Sequence, residues 1–283
     1  MVGRTLMLFI LFGASPAFAH LSTEAIEYRD GDTVLEGHLA YDVHWEDKHP
    51  AVLVVHEWRG LNDYAKRRAE QLVSSGYAAF AVDMYGKGGY AKDHTDAAQL
   101  SGALRSDRQL MRGRIMAALN MLQQHPLVDP SRIAAIGYCF GGTTVLELAR
   151  SGADVLGIVS FHGALDTPNP DDAENIRGRV LVLHGAADRF VPPEQVAAFE
   201  GAMRQAGIDY QLIQFEGAVH SFTVPDAGND PSTGVAYNAE ADRKSWEAMQ
   251  QFLAELFSQE PTSATAESPS TCPICPQAQT TQQ

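Results

Sequence analysis

The chain has 283 residues and a formal net charge of −14. So acidic a balance argues against a nucleic-acid partner and for solubility, and it says nothing about fold. The length allows one large or two small domains, and the alternation of strand and helix patterns favours one.

Residues 1–19 read as a secretory leader. Arg4 supplies a positive start, Leu6 to Phe12 an apolar run, and Ala17-Phe18-Ala19 a small-x-small cleavage site ahead of His20. An uncleaved anchor is the competing reading, but the run is short for a bilayer span. No Cys near the cleavage site speaks for a lipoprotein, and no later stretch is apolar enough to cross a membrane. The expectation is a periplasmic or secreted protein with no stable membrane insertion after cleavage.

The folded part is expected over 20–257. Ala25 to Arg29 and Thr33 to Tyr41 alternate around Gly31 and predict an antiparallel edge hairpin. Ala51 to His56 is a continuous apolar run, the pattern of a central parallel strand. Asn62 or Asp63 can cap the next helix, which turns Ala65, Ala69, Leu72 and Val73 inward. Tyr77 to Val82 is the next strand. The spacing of Leu104, Met111, Ile115, Ala118, Leu119 and Leu122 predicts one helix over 104–123, left at Pro126 and Pro130. Ile133 to Ile136, Val155 to Phe161, Arg179 to Gly185 and Tyr210 to Phe215 are further strands. A proline-started helix covers Pro193 to Gln205. Ala236 to Phe257 closes the domain, with Ala241, Trp246, Met249, Leu253 and Leu256 inward.

Residues 258–283 are Pro, Ser, Thr, Gln and Ala with hardly any apolar content, and are expected to be disordered. Three cysteines leave an odd count. Cys272 and Cys275 of the tail can pair with each other in an oxidising compartment. A metal shared between two chains and a thioredoxin-like role are the alternatives, and both lack the further ligands or the folded unit they need.

The chemistry concentrates in Gly137-Tyr138-Cys139-Phe140-Gly141-Gly142, between an apolar strand and a helix-forming stretch. Strand, sharp turn and helix with a nucleophile at the apex is the form of a nucleophile elbow, here with a thiol in place of the usual serine. Only small residues fit beside so tight an apex. The start of the following helix favours negative charge on the sulfur. Asp188 lies just past the strand ending at Gly185, and His220 just past the one ending at Phe215. Nucleophile, acid and base thus come in α/β-hydrolase order, each at a strand's C-terminal end, where open α/β sheets build their sites.

His56-Glu57-Trp58-Arg59-Gly60, Val82-Asp83-Met84-Tyr85-Gly86, the elbow, His184-Gly185-Ala186-Ala187-Asp188 and His220-Ser221-Phe222 run in the order of the dienelactone hydrolase family, and the chain resembles that family from about Glu24 to Phe257. The resemblance implies an α/β-hydrolase fold, a mostly parallel central sheet with helices on both faces. It also implies hydrolysis of a small lactone or carboxylic ester through a thioacyl intermediate, without a cofactor. Cys139 would be the nucleophile, His220 the base and Asp188 its orienting acid. The backbone N–H groups of Trp58 and Phe140 would form the oxyanion hole. The family glutamate matching Glu57 contacts the resting thiol and tunes it. Tyr85 and Ser221 would line the pocket. Lys87 stands where the family has a carboxylate-gripping arginine, and Val224 occupies the place of a second one, which weakens the case for dienelactone itself. His56-Glu57 also opens like the zinc motif His-Glu-x-x-His, but position 60 is Gly60, so no metal is called for. His162 and His184 read as scaffold. The competing readings are a hydrolase-fold protein with a thiol redox or binding role, and an acyl hydrolase of peptides or thioesters.

Overall fold

The computed structural model describes residues 20–258. Residues 1–19, expected to be a leader, and the tail with Cys272 and Cys275 lie outside the described residues. β1 (Leu21–Asp30) and β2 (Thr33–Asp42) form the expected antiparallel hairpin, turning at Gly31, whose φ of 56° suits a residue without a Cβ. β3 (His49–Val55), β4 (Ala78–Val82), β5 (Val128–Tyr138), β6 (Gly157–Phe161), β7 (Arg179–Gly185) and β8 (Tyr210–Phe215) complete one sheet. Its order is β1-β2-β4-β3-β5-β6-β7-β8. Strands β3 to β8 run parallel, and the hairpin joins them antiparallel through β2 and β4.

Because side chains alternate along a strand, the continuous apolar runs must bury both faces. Ala51, Leu53 and Val55 of β3 pack in one core with Met111, Ile115 and Leu119 of α3 (Arg108–Gln123), Val145 of α4 (Phe140–Arg150) and Phe199 of α5 (Pro193–Gln205). Val52 and Val54 pack in the other, with Ala69 and Leu72 of α1 (Asp63–Val73) and Met249, Phe252 and Leu253 of α6 (Ala239–Ser258). The helices therefore cover both faces.

Of the two candidate caps for α1, Asn62 does the work: its side chain accepts from the Ala65 N–H at 3.1 Å. The single helix expected over 104–123 is corrected to two. Asp107, at φ −120° and ψ 87°, breaks it and caps α3 by accepting from the Leu110 N–H at 2.9 Å. The helix before the break, α2 (His94–Ser106), starts earlier than the spacing predicts, and Asp93 caps it.

Candidate active site

Cys139 sits between β5 and α4 at φ 53° and ψ −111°. Among the described residues the non-glycine residues with positive φ are Cys139, His162 and Ser221. Backbone strain of this kind is held only where the surroundings over-determine it, and here it gathers at one place, the C-terminal rim of the parallel strands. The glycines of the elbow explain how the turn closes. A Cβ on Gly137 would lie 2.1 Å from the Gly141 carbonyl oxygen, and one on Gly141 would lie 2.3 Å from that of Val55.

The fold brings three of the expected side chains together. His220 Nε2 is 3.1 Å from Cys139 Sγ, and its Nδ1 is 2.8 Å from Asp188 Oδ2. Asp188 and Cys139 are buried. Burial opposes a charge on His220, but the Cys139 sulfur and the Asp188 carboxylate outweigh it and push the imidazole up to about 10. The ring therefore holds a proton at neutral pH, between a sulfur and a carboxylate. Phe190 lies edge-on to it at 5.3 Å and is 54% exposed, so it stands at the mouth of the site.

The loop after β3 is tied down through its carbonyls. His56 is fully buried, and burial lowers its pKa to about 4, so it is neutral. Its Nε2 accepts from the Met84 N–H at 3.3 Å, which leaves Nδ1–H to donate to the Glu57 carbonyl at 2.5 Å. Tyr85 donates its hydroxyl to the Trp58 carbonyl at 2.8 Å. The peptide group is planar and trans, so clamping the Glu57 oxygen also fixes the direction of the Trp58 N–H on the opposite side. Among the described residues neither this N–H nor that of Phe140 has an intramolecular hydrogen-bond acceptor.

Glu57 accepts from the Ser221 hydroxyl at 3.2 Å, next to His220. Burial pushes its carboxyl up, while the His220 charge and the Ser221 hydroxyl pull the other way. The sulfur's hydrogen-bond partner is His220 rather than Glu57. Lys87 is not brought to the thiol. Its ammonium pairs with Glu27 of β1 and, at 2.7 Å, with Glu36 of β2. It faces solvent beside the hairpin.

One group escapes the sequence reading. Arg105, near the end of α2, lies 6.0 Å over the Phe140 ring of the elbow. Asp93 at the cap and Ala97, Ser101 and Leu104 at helical spacing are the signal that could have revealed α2. His162, expected to be scaffold, supports the elbow: its Nδ1 accepts from the Cys139 N–H at 3.1 Å and its Nε2 lies 2.8 Å from Thr223 Oγ1. Thr223 in turn meets Tyr64, and Tyr64 meets Arg68, which pairs with Asp242 of α6. The elbow is thus anchored to the last helix through a buried polar chain. The donor set around Cys139 is that of a thiol nucleophile with an oriented base.

A mostly parallel sheet with helices on both faces, and a strained elbow after the fifth strand, define an α/β-hydrolase. The model of the Dienelactone hydrolase family matches residues 36–257, and the chain belongs to that family. The solved structure of a protein named m3DLH is 42% identical, with a TM-score of 0.81 over 84% of this chain and 99% of that one. The dienelactone hydrolase-like promiscuous phosphotriesterase P91, from metagenomic libraries, is 41% identical, with a TM-score of 0.80 over the same shares, 84% and 99%. A Bradyrhizobium protein named "Probable 2-oxo-3-(5-oxofuran-2-ylidene)propanoate lactonase" is 29% identical over 71% of this chain and 85% of its own length. The protein is a hydrolase of this family.

Proposed function

We propose that the protein hydrolyses small lactones or carboxylic esters with Cys139 as nucleophile, His220 as base and acid, and Asp188 orienting His220. The observation that carries this reading is the chain of contacts from Sγ through the imidazole to the buried carboxylate, 3.1 Å and 2.8 Å. The imidazole raised to about 10 holds on Nε2 the proton that the leaving group will need, and the thiolate is the reactive form of the sulfur. Sulfur attacks the carbonyl carbon and the carbonyl π electrons move to oxygen. The Trp58 and Phe140 N–H groups, which lack acceptors among the described residues, receive that oxyanion, and each such donor is worth about 3 kcal/mol. As the intermediate collapses, the C–O bond to the leaving alkoxide breaks and His220 delivers its Nε2 proton to it. In a lactone the new alcohol stays tethered to the acyl group. Neutral His220 then takes a proton from water, hydroxide attacks the thioacyl carbon, and the acid leaves as sulfur regains its anionic state.

Purified protein with activated short-chain esters, lactones and dienelactone tests the reading. Cys139→Ala should lose about 10³-fold or more of turnover, and full turnover by that variant rejects the nucleophile. The 41% identity to a promiscuous phosphotriesterase favours a second activity of the same site. The thiolate would displace an aryloxide from the phosphorus of a triester, and hydrolysis of an aryl dialkyl phosphate by the wild type but not by Cys139→Ala checks it. We also infer export, on the leader pattern ending at Ala19. Mass determination of the N-terminus of secreted material tests that.

A further inference from the structure

At the other end of the sheet, the open end of the hairpin gathers His20, Asp42 and His44. One ligand atom from each lies within 4.8 Å of the others. The pairing Leu21↔Asp42 sets His20 beside the residues that follow β2, and the Val43 N–H donates to the His20 carbonyl at 3.0 Å. Asp42 accepts from the His20 N–H through Oδ2 at 3.0 Å and from the His44 N–H through Oδ1 at 2.9 Å. The two imidazoles meet edge to face with centroids 4.5 Å apart. Ten consecutive residue pairs hold this register, which brings the two strand ends together, with His20 just ahead of β1 and His44 in the turn that follows β2.

The site is remote from the thiol. β2 pairs with β4 through Ala40↔Ala79, at the start of β4. Residues beyond Ala40 therefore pass the N-terminal rim of the parallel strands, whereas Cys139, Asp188 and His220 follow the C-terminal ends of β5, β7 and β8. The chemistry at the thiol makes no use of these histidines.

Their meaning changes with the leader. Cleavage ahead of His20 converts its backbone nitrogen into an α-amine, and the amine and Nδ1 of an N-terminal histidine can close a six-membered chelate ring on one metal ion. We propose that His20, Asp42 and His44 form a Cu(II) site completed by the α-amino group of His20. This rests on the leader reading only for the amine. Two imidazoles and an amine are nitrogen donors, and with a carboxylate they suit a tetragonal ion. Cu(II) prefers that geometry and stands at the top of the divalent affinity order. Asp42 adds negative charge beside the nitrogen, at the position where its carboxylate already accepts from it. The amine must shed its proton to bind, so uptake of the metal releases protons and strengthens as pH rises through about 8.

The test uses the chain from His20 to Gln283 with Cys272→Ser and Cys275→Ser, so that tail thiols do not compete, and CuSO4 as the probe. The expected result is one tightly bound Cu(II) with a tetragonal electron paramagnetic resonance signal and nitrogen splitting. His44→Ala and His20→Ala should each weaken binding at least about tenfold, the least that losing even a ligand's supporting partner does. Placing Gly-Ser ahead of His20 should do the same, because it removes the amine. Ester hydrolysis should be unchanged in all three, which shows that they fold. Equal affinity of His44→Ala and the parent chain overturns the site. Equal affinity of the Gly-Ser-extended chain overturns the amine's part in it. Zn(II) binding more tightly than Cu(II) overturns the choice of metal. An exported protein that begins elsewhere than His20 sinks the leader reading alone, since the recombinant chain still reports on the site.

Discussion

The peptide N–H of Cys139 is shared between the Phe161 carbonyl oxygen at 3.0 Å and Nδ1 of His162 at 3.1 Å, while its sulfur lies 3.1 Å from Nε2 of His220. The two imidazoles meet edge to face at 5.3 Å and hold opposite protonation states. Burial drives His162 well below the ordinary histidine range, and the charges of His220 and Arg68 add to that. Neutral His162 keeps Nδ1 as an acceptor for the elbow and donates Nε2–H to Thr223. It is a positioning residue, acting on the substrate only through Cys139. His162→Leu should lower kcat by about 10- to 100-fold, the loss expected from a misplacement near 1 Å, with little change in KM. His162→Asn, which offers a short amide oxygen near the Nδ1 position, should recover most of it. Steady-state kinetics on an activated ester decide, and an unchanged kcat in His162→Leu removes the role.

The tight elbow makes its own prediction. A Cβ on Gly137 would lie 2.1 Å from the Gly141 oxygen and 2.3 Å from its carbon, both backbone atoms that cannot swing aside. Gly137→Ala should cost about 1–3 kcal/mol or more by urea titration, as overpacking does, and should slow alkylation of Cys139. Gly102, inside α2, has nothing within 4 Å of where a Cβ would go. Gly102→Ala should therefore stabilise by up to about 1 kcal/mol and leave the kinetics alone.

What the sequence makes legible here is what local patterns encode. Continuous apolar runs mark the buried parallel strands, and residues just past them must reach the same rim. That is why Cys139, Asp188 and His220 could be singled out before their distances were known. The break at Asp107 was not legible, because apolar spacing carries on across it while a single carboxylate diverts the backbone. The direction of Lys87 depended on how the hairpin docks, and Glu27 and Glu36 capture it. His56 and His162 act through partners distant in the chain, such as Met84 and Thr223, and a buried histidine carries no mark of its partner in its own neighbourhood. The His20–Asp42–His44 grouping likewise exists only once the hairpin register is known.

A tuning role for Glu57 would show in the alkylation of Cys139. Its carboxyl is pushed up by burial and held by the Ser221 hydroxyl beside His220. A negative charge there disfavours a second one on the nearby sulfur. Glu57→Gln keeps the shape and removes the charge, so the alkylation profile of Cys139 should move to lower pH, with faster alkylation at mildly acidic pH. A profile that superimposes on the wild type eliminates tuning by Glu57.

Lys87→Met should leave kcat and KM for neutral and carboxylate-bearing esters within about twofold of wild type, since the ammonium is engaged by Glu27 and Glu36 on the hairpin. Both pairs face solvent, so the change in stability should be small. A selective rise in KM for the carboxylate-bearing ester would show that Lys87 leaves the hairpin to grip substrate.

Asp188 should be visible in the pH dependence of stability. His220 is raised from an ordinary 6.5 to about 10. Above about pH 6.5 the native protein therefore holds a proton on this ring that the unfolded chain has released. The resulting stabilisation is complete below that pH and is lost as pH rises through about 10. Asp188 supplies part of it through the 2.8 Å contact of its buried carboxylate with Nδ1. Asp188→Asn removes that charge, so its His220 should titrate lower and its window should be narrower. The difference in Tm between wild type and variant should be largest near pH 6.5 and shrink towards pH 10, where both rings are losing the proton. Tyrosine and lysine ionisations common to both proteins cancel in the difference. The variant should also lose about 10³- to 10⁴-fold in kcat, because an amide no longer enforces the Nδ1–H tautomer. A Tm difference that stays constant from pH 6.5 to 10 would mean that Asp188 stabilises the fold through packing and not through the charge of His220.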